Sequence, residues 1–163
     1  MGLWRCLILL VAALLIGLSS SSAQEPVRPA GSTGSTDNQD RLRNHSVGKK
    51  MKVIIGSRTF SATLDENPAA TKFRAMLPLT LDMSELNGNE KLFRMSTSLP
   101  TDSANPGTIQ NGDLMLWGAN TLVMFYKTFP TVYSYTRLGR IDNPAGLAAA
   151  VGSESVTVKF ELE

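Results

Sequence analysis

Downstream of Met51 the chain alternates apolar and polar residues with a period of two, and that alternation predicts a mainly β domain. Met51-Lys52-Val53-Ile54-Ile55 and Arg58-Thr59-Phe60-Ser61-Ala62-Thr63-Leu64 read as the two arms of a hairpin. Phe60, Ala62 and Leu64 fall on one face of the second arm, and Thr59, Ser61 and Thr63 on the other. Gly56-Ser57 suits a tight type II′ turn between them. Leu79-Thr80-Leu81-Asp82-Met83 alternates in the same way, with its leucines and methionine inward. Asp113–Trp117 and Leu122–Tyr126, joined by Gly118-Ala119-Asn120, form a second apolar pair. Tyr133–Ile141 reads as a further strand, and Val156–Phe160 closes the series.

Two segments break the period. Asn67-Pro68 matches a helix N-cap followed by proline at the first helical position. The helix is expected to run through Phe73 and Met76 to Leu77, stopping at Pro78. Asn143-Pro144 repeats the signal ahead of a short helix, Ala145–Val151, which Gly152 would end as an αL cap. Between Ser84 and Asn111 the pattern weakens. Asn87-Gly88-Asn89, Pro100 and Asn105-Pro106-Gly107 mark turns there, and Lys91–Leu99 is consistent with an irregular strand or a short helix. Seven or eight strands with two helices favour a small antiparallel closed barrel, in which closure protects the strand edges. The period alone leaves a β-sandwich open.

The first 50 residues have a different character. Arg5 precedes the apolar run Cys6–Ile16, and Ser21-Ser22-Ala23 supplies small residues where a signal peptidase cuts. Residues 1–23 are read as a secretory signal peptide and 24–50 as a disordered polar tether, with a domain over 51–163. The apolar run falls short of the 20 or so residues of a bilayer span, so no stable span is expected after cleavage. A retained anchor is the alternative. The expected location is secreted or periplasmic.

Charge and chemistry narrow the function classes. From Met51 onward the chain carries ten basic and eleven acidic side chains, a balance that argues against nucleic acid as a partner. The single cysteine, Cys6, and the single histidine, His45, both lie before the domain. Imidazole and thiol are therefore missing as base, nucleophile or metal ligand. Asp82, Glu85 and Glu90 lack the dense oxygen spacing of a calcium loop, and structural roles are expected for them and for Asp113. No Gly-rich phosphate loop occurs. No metal or cofactor is expected.

Four blocks carry a resemblance. They are Ala75–Leu81, Leu86–Lys91, Pro106–Tyr126 with its run GDLMLWGANTLVMFY, and Tyr133–Ile141 with its run SYTRLGRI. Together they resemble the bacterial cyclophilin-like domain family. The resemblance implies a closed eight-stranded cyclophilin-like β-barrel with two short helices. Cyclophilins proper are peptidyl-prolyl isomerases that hold an extended Xaa-Pro peptide in a groove, where an arginine stabilises the twisted amide. Such catalysis needs only tighter binding of the twisted state, without a covalent step. The family's Phe-His-Arg run with its following Phe-Met and Gln has no counterpart here, and Phe73-Arg74 lies in a predicted helix. Within Asn120–Tyr126, Phe125 is the residue that corresponds to the groove phenylalanine.

The candidate site residues follow. Arg137 is the candidate catalytic group, and Phe125, Tyr133, Tyr135, Trp117 and Arg140 are candidate ligand contacts. Strict alternation would place Tyr133, Tyr135, Arg137 and Gly139 on one face and Arg140 on the other. Trp117, at a strand end beside Gly118, is read either as packed in the core or an end plug or as lining a rim, and Phe129-Pro130 as a lip or loop anchor. The leading reading is an exported domain that binds a proline-containing peptide or a small ligand. A divergent prolyl isomerase and a non-catalytic interaction module are the alternatives, with oligomeric state left open.

Overall fold

The computed structural model describes residues 49–163, so the leader and nearly all of the tether lie outside the described residues. Twelve elements follow in order: β1 (Lys50–Ile55), β2 (Arg58–Leu64), α1 (Pro68–Arg74), β3 (Leu79–Leu86), β4 (Glu90–Arg94), β5 (Thr108–Ile109), β6 (Asp113–Trp117), β7 (Thr121–Phe125), β8 (Phe129–Pro130), β9 (Thr136–Ile141), α2 (Leu147–Val151) and β10 (Val156–Leu162). Eight strands close into an antiparallel barrel in the order β1-β10-β3-β4-β7-β6-β9-β2, and β5 and β8 pair separately as a small second sheet. The sandwich alternative is thereby excluded.

The alternation read from the sequence fills the barrel. Phe60, Ala62 and Leu64 of β2 are buried among Met51, Val53, Leu81, Met83, Leu114, Leu116, Val158 and Phe160. Gly56, at φ 57°, makes the β1–β2 turn while Ser57 stays at negative φ, as a type II′ turn requires. Asn67 caps α1 by accepting the Ala70 N–H at 2.8 Å, and Pro68 sits in the first turn. Phe73 of α1 is fully buried, its ring edge-on to Phe160 with centroids 5.9 Å apart. Leu147 and Val151 of α2 join the same core.

Several expected boundaries move. The first helix ends at Arg74, three residues early, and Leu77 is the residue that the following proline disfavours in the α region. Met76 and Leu77 follow in tight i→i+3 turns on Phe73 and Arg74. Asn143 does not cap the second helix. Its side chain accepts the Ala145 N–H in a local turn, and the helix begins at Leu147 after Gly146. Gly152 ends it at positive φ but with ψ −166°, outside the αL region. Of the irregular strand or short helix expected over Lys91–Leu99, the chain forms a strand that stops at Arg94, after which it is pinned to the β6–β7 turn by bonds from the Met95 and Leu99 N–H groups to Asn120 and Ala119.

The largest correction concerns Tyr133–Ile141. The strand begins only at Thr136; Tyr133 lies in a loop, and Tyr135 makes an isolated bridge to Ala104. Within β9 the register to β6 shifts, with Gly139 opposite Leu114 but Arg137 opposite Met115, so Leu138 is an extra residue in a bulge. The bulge resets the alternation. Arg137 and Arg140 therefore both point outward, while Leu138 is buried in the core. Gly139 is required at the bulge, because a Cβ there would stand 2.3 Å from the Thr63 carbonyl oxygen on the paired strand β2.

Candidate functional site

Strand alternation gives the barrel wall two faces, and on β4 the two carry opposite charges. Residues directly opposite on paired strands share a face. Lys91 is paired with Met124, a residue of the inner core, and so points into the barrel. Glu90 is paired with Phe125, and Leu92 with Val123, and these residues point outward. The outer face over β4, β7 and β6 carries its own apolar layer of Ile109, Met115, Val123, Phe125 and Tyr135, with Leu92 and Phe129 packed against it. The β5–β8 pair supplies Ile109 and Phe129 to this layer.

Part of that outer face stays open. One recess of about 350 Å³ is lined by Asn87, Asn89, Glu90, Tyr133, Tyr135 and the Phe129–Val132 segment. A second, of about 240 Å³, is lined by Leu86, Asn87, Glu90, Leu92, Trp117, Val123, Tyr133 and Tyr135. The two share Asn87, Glu90, Tyr133 and Tyr135, so they form one groove. Its walls hold the most exposed of the large apolar side chains among the described residues: Trp117 is 57% exposed, Tyr133 64% and Val132 84%. The Asn87-Gly88 turn at one end has both residues at positive φ, with the Asn89 N–H donated to the Leu86 carbonyl, as in a type I′ turn, within a three-residue loop that leaves Leu86 opposite Glu90.

Glu90 is the group in the groove with chemistry. It is 9% exposed, and among the described residues its carboxylate makes no hydrogen bond or ion pair. Burial, with a smaller contribution from the negative charge of Glu85, holds its carboxyl above the ordinary range. Beside it the side-chain oxygen of Asn89 is buried and has no hydrogen-bond partner. Tyr135, beneath the groove, has its phenol raised mainly by burial and also by the charge of Glu90.

The inner face is satisfied instead. Lys91, fully buried, pairs with Glu85 at 2.5 Å and donates to the Glu154 carbonyl at 2.5 Å. Tyr126 donates its hydroxyl to both oxygens of Glu85 at 2.9 Å. Partial burial opposes ionisation of Glu85, but the bonds from Lys91, Tyr126 and the Gly88 N–H outweigh it and hold the carboxyl below its ordinary range. Burial and the same carboxylate push the Tyr126 phenol up to about 12.

The sequence candidates divide between two places. Trp117, Tyr133 and Tyr135 meet in the groove. Phe125 is fully buried beneath it, its ring perpendicular to Tyr135 at 5.5 Å and tilted against Phe129 at 5.8 Å, so it supports the floor without lining the opening. Arg137 and Arg140 lie outside the groove. Arg137 bonds Asp65 at 3.1 Å through Nε, and both arginines stand 3.8 Å from the buried Oδ1 of Asp113. Asp113 accepts the Gln110 N–H at 2.8 Å in the turn before β6, a structural role of the kind expected of it. Arg137 opens instead onto a neighbouring recess of about 250 Å³, which shares Tyr135 with the groove and is lined also by Asp65, Asp102 and Thr136.

Leu86, Leu92, Asn87, Asn89 and Glu90 were missed as site residues. Leu86 stands opposite Glu90 across the β3–β4 hairpin and Leu92 lies two residues further along β4, a period-two relation that is the available signal that they share a face. Of the other acidic candidates, Asp82 accepts the Thr157 hydroxyl at 2.6 Å. The described residues contain no cluster of three or more potential metal-ligating side chains and no helix long and apolar enough to cross a membrane.

No curated protein matches the chain. Among solved structures it is similar to the solution structure of a hypothetical protein from Archaeoglobus fulgidus, with a TM-score of 0.55 and 17% identity over 72% of this chain and 97% of that one. At that identity the likeness speaks to the fold. The profile of the cyclophilin-like family matches residues 53–161, and together with the closed eight-stranded barrel this places the chain in the cyclophilin-like family.

Proposed function

We propose that this domain is a binding module that takes an extended peptide or a small ligand in the groove over β4, β7 and β6. The observation that carries this reading is the open apolar groove itself, walled by Trp117, Tyr133 and Val132 above a packed floor. Trp117 on β6 and Tyr133 on the loop before β9 are exposed rings that water hydrates poorly, and a ligand that covers them gains burial energy. The recesses are of the size that holds small ligands and single peptide side chains. The leader read from residues 1–23 supports a place of action in the cell envelope or outside the cell.

The isomerase alternative rests on Arg137. An arginine acting on a twisted prolyl amide must reach the bound peptide, and no arginine lines either part of the groove. The Arg137 guanidinium is engaged with Asp65 and faces Asp113. Binding without catalysis is therefore favoured.

The test is capture of a labelled randomised pentapeptide library by the full chain and by the Trp117→Ala/Tyr133→Ala double variant. Both side chains are exposed, so the double variant is expected to fold. Enrichment of a defined peptide set that the variant loses supports the reading. Enrichment that the variant retains contradicts it.

A further inference from the structure

The groove contains a negative group that its walls do not explain. A purely apolar or proline-binding groove gains nothing from a carboxylate at the junction of its two recesses, because a ligand that covers an unpaired polar group must leave it without water or a donor. Glu90 is there, 9% exposed, with no hydrogen bond or ion pair among the described residues. Three aromatic side chains, Trp117, Tyr133 and Tyr135, line the same recess as Glu90.

The geometry points to an arginine side chain, presented on an extended peptide, as the ligand group that the groove recognises. This assignment rests on the groove being a binding site and names what it selects. A guanidinium meets each feature at once. Its planar face stacks on aromatic rings, its N–H groups fit a carboxylate in a bidentate fork, and its charge complements the unpaired Glu90. A proline or a leucine would cover the rings and leave the Glu90 carboxylate without a donor.

Calorimetry on the full chain tests the assignment with the pentapeptides Ac-Ala-Gly-Xaa-Gly-Ala-NH2, where Xaa is arginine, its neutral isostere citrulline, leucine or proline. The arginine peptide is expected to bind at least about tenfold tighter than the citrulline and leucine peptides. Glu90→Gln is expected to bring arginine down to the citrulline level, and Trp117→Ala to weaken every peptide that binds. Arginine no better than citrulline, or a preference that survives in Glu90→Gln, overturns the arginine assignment. If Trp117→Ala still weakens whatever peptides bind in that case, the groove reading stands without it. Binding by none of the four overturns the assignment and counts against the groove as well.

Discussion

Glu90 and Lys91 are neighbours on β4 that never meet: Lys91 is buried inside the barrel in an ion pair with Glu85, and Glu90 is buried on the outer face without a partner. Strand alternation turns two adjacent, opposite charges into a structural pair on one side of the wall and an unspent acceptor on the other. Because burial raises the folded-state value of Glu90 above its unfolded one, its ionisation works against folding. The cost is absent below the ordinary carboxylate range and grows as pH rises through the raised value. Glu90→Gln is therefore expected to stabilise the protein at pH 7 by roughly 1 kcal/mol and to leave it unchanged at pH 3. Urea unfolding at the two pH values checks this.

Lys91→Met is expected to have the opposite effect. It leaves Glu85 facing the barrel without its cation, which costs about 2–3 kcal/mol, the lower side for a buried pair because Glu85 is partly solvated. The folded-state value of Glu85 is lowered, so the stability it contributes is present above the ordinary carboxylate range and is lost as pH falls through the lowered value. The gap between wild type and variant should narrow at acid pH. Adding Glu85→Gln to Lys91→Met should recover part of the loss at pH 7, measured by a double-mutant cycle.

Gly139→Ala tests the bulge. Its Cβ would meet the Thr63 carbonyl oxygen at 2.3 Å and the Leu64 Cα at 2.9 Å, both backbone atoms that cannot step aside. A loss of about 3 kcal/mol is expected in denaturant unfolding. A neutral effect would mean that β2 and β9 do not approach as described.

Prolyl isomerisation separates binding from catalysis. With no arginine lining the groove, a panel of Xaa-Pro peptides is expected to isomerise at the uncatalysed rate in the presence of the full chain. An acceleration that Arg137→Ala abolishes, in a variant that still unfolds cooperatively, would contradict the non-catalytic reading.

The barrel was largely legible in the chain because its information is local. Phe60, Ala62 and Leu64 show their inward face by spacing alone, and Asn67-Pro68 announces its helix through capping chemistry. Features that depend on a distant partner were not legible. The bulge at Leu138 exists only relative to Leu114 and Met115, so strict alternation put Arg140 on the wrong face. Tyr135 is held by Ala104, 31 positions away, rather than by a strand of its own. Trp117, Tyr133 and Tyr135 were picked out as rings, but Glu90 was read as structural with its acidic neighbours. Whether a glutamate has a cation beside it is decided by which strands the fold brings together. Here that pairing gave Lys91 to Glu85 and left Glu90 to the groove.

The most direct test is a titration of the ¹⁵N-labelled full chain with the tightest-binding peptide, followed by amide and indole NMR shifts. The account predicts that the shifts concentrate on residues 86–92, the Trp117 indole and residues 132–135. Shifts confined to the α1 surface or to the recess between Arg58 and Asp142, with the Trp117 indole unmoved, would contradict it.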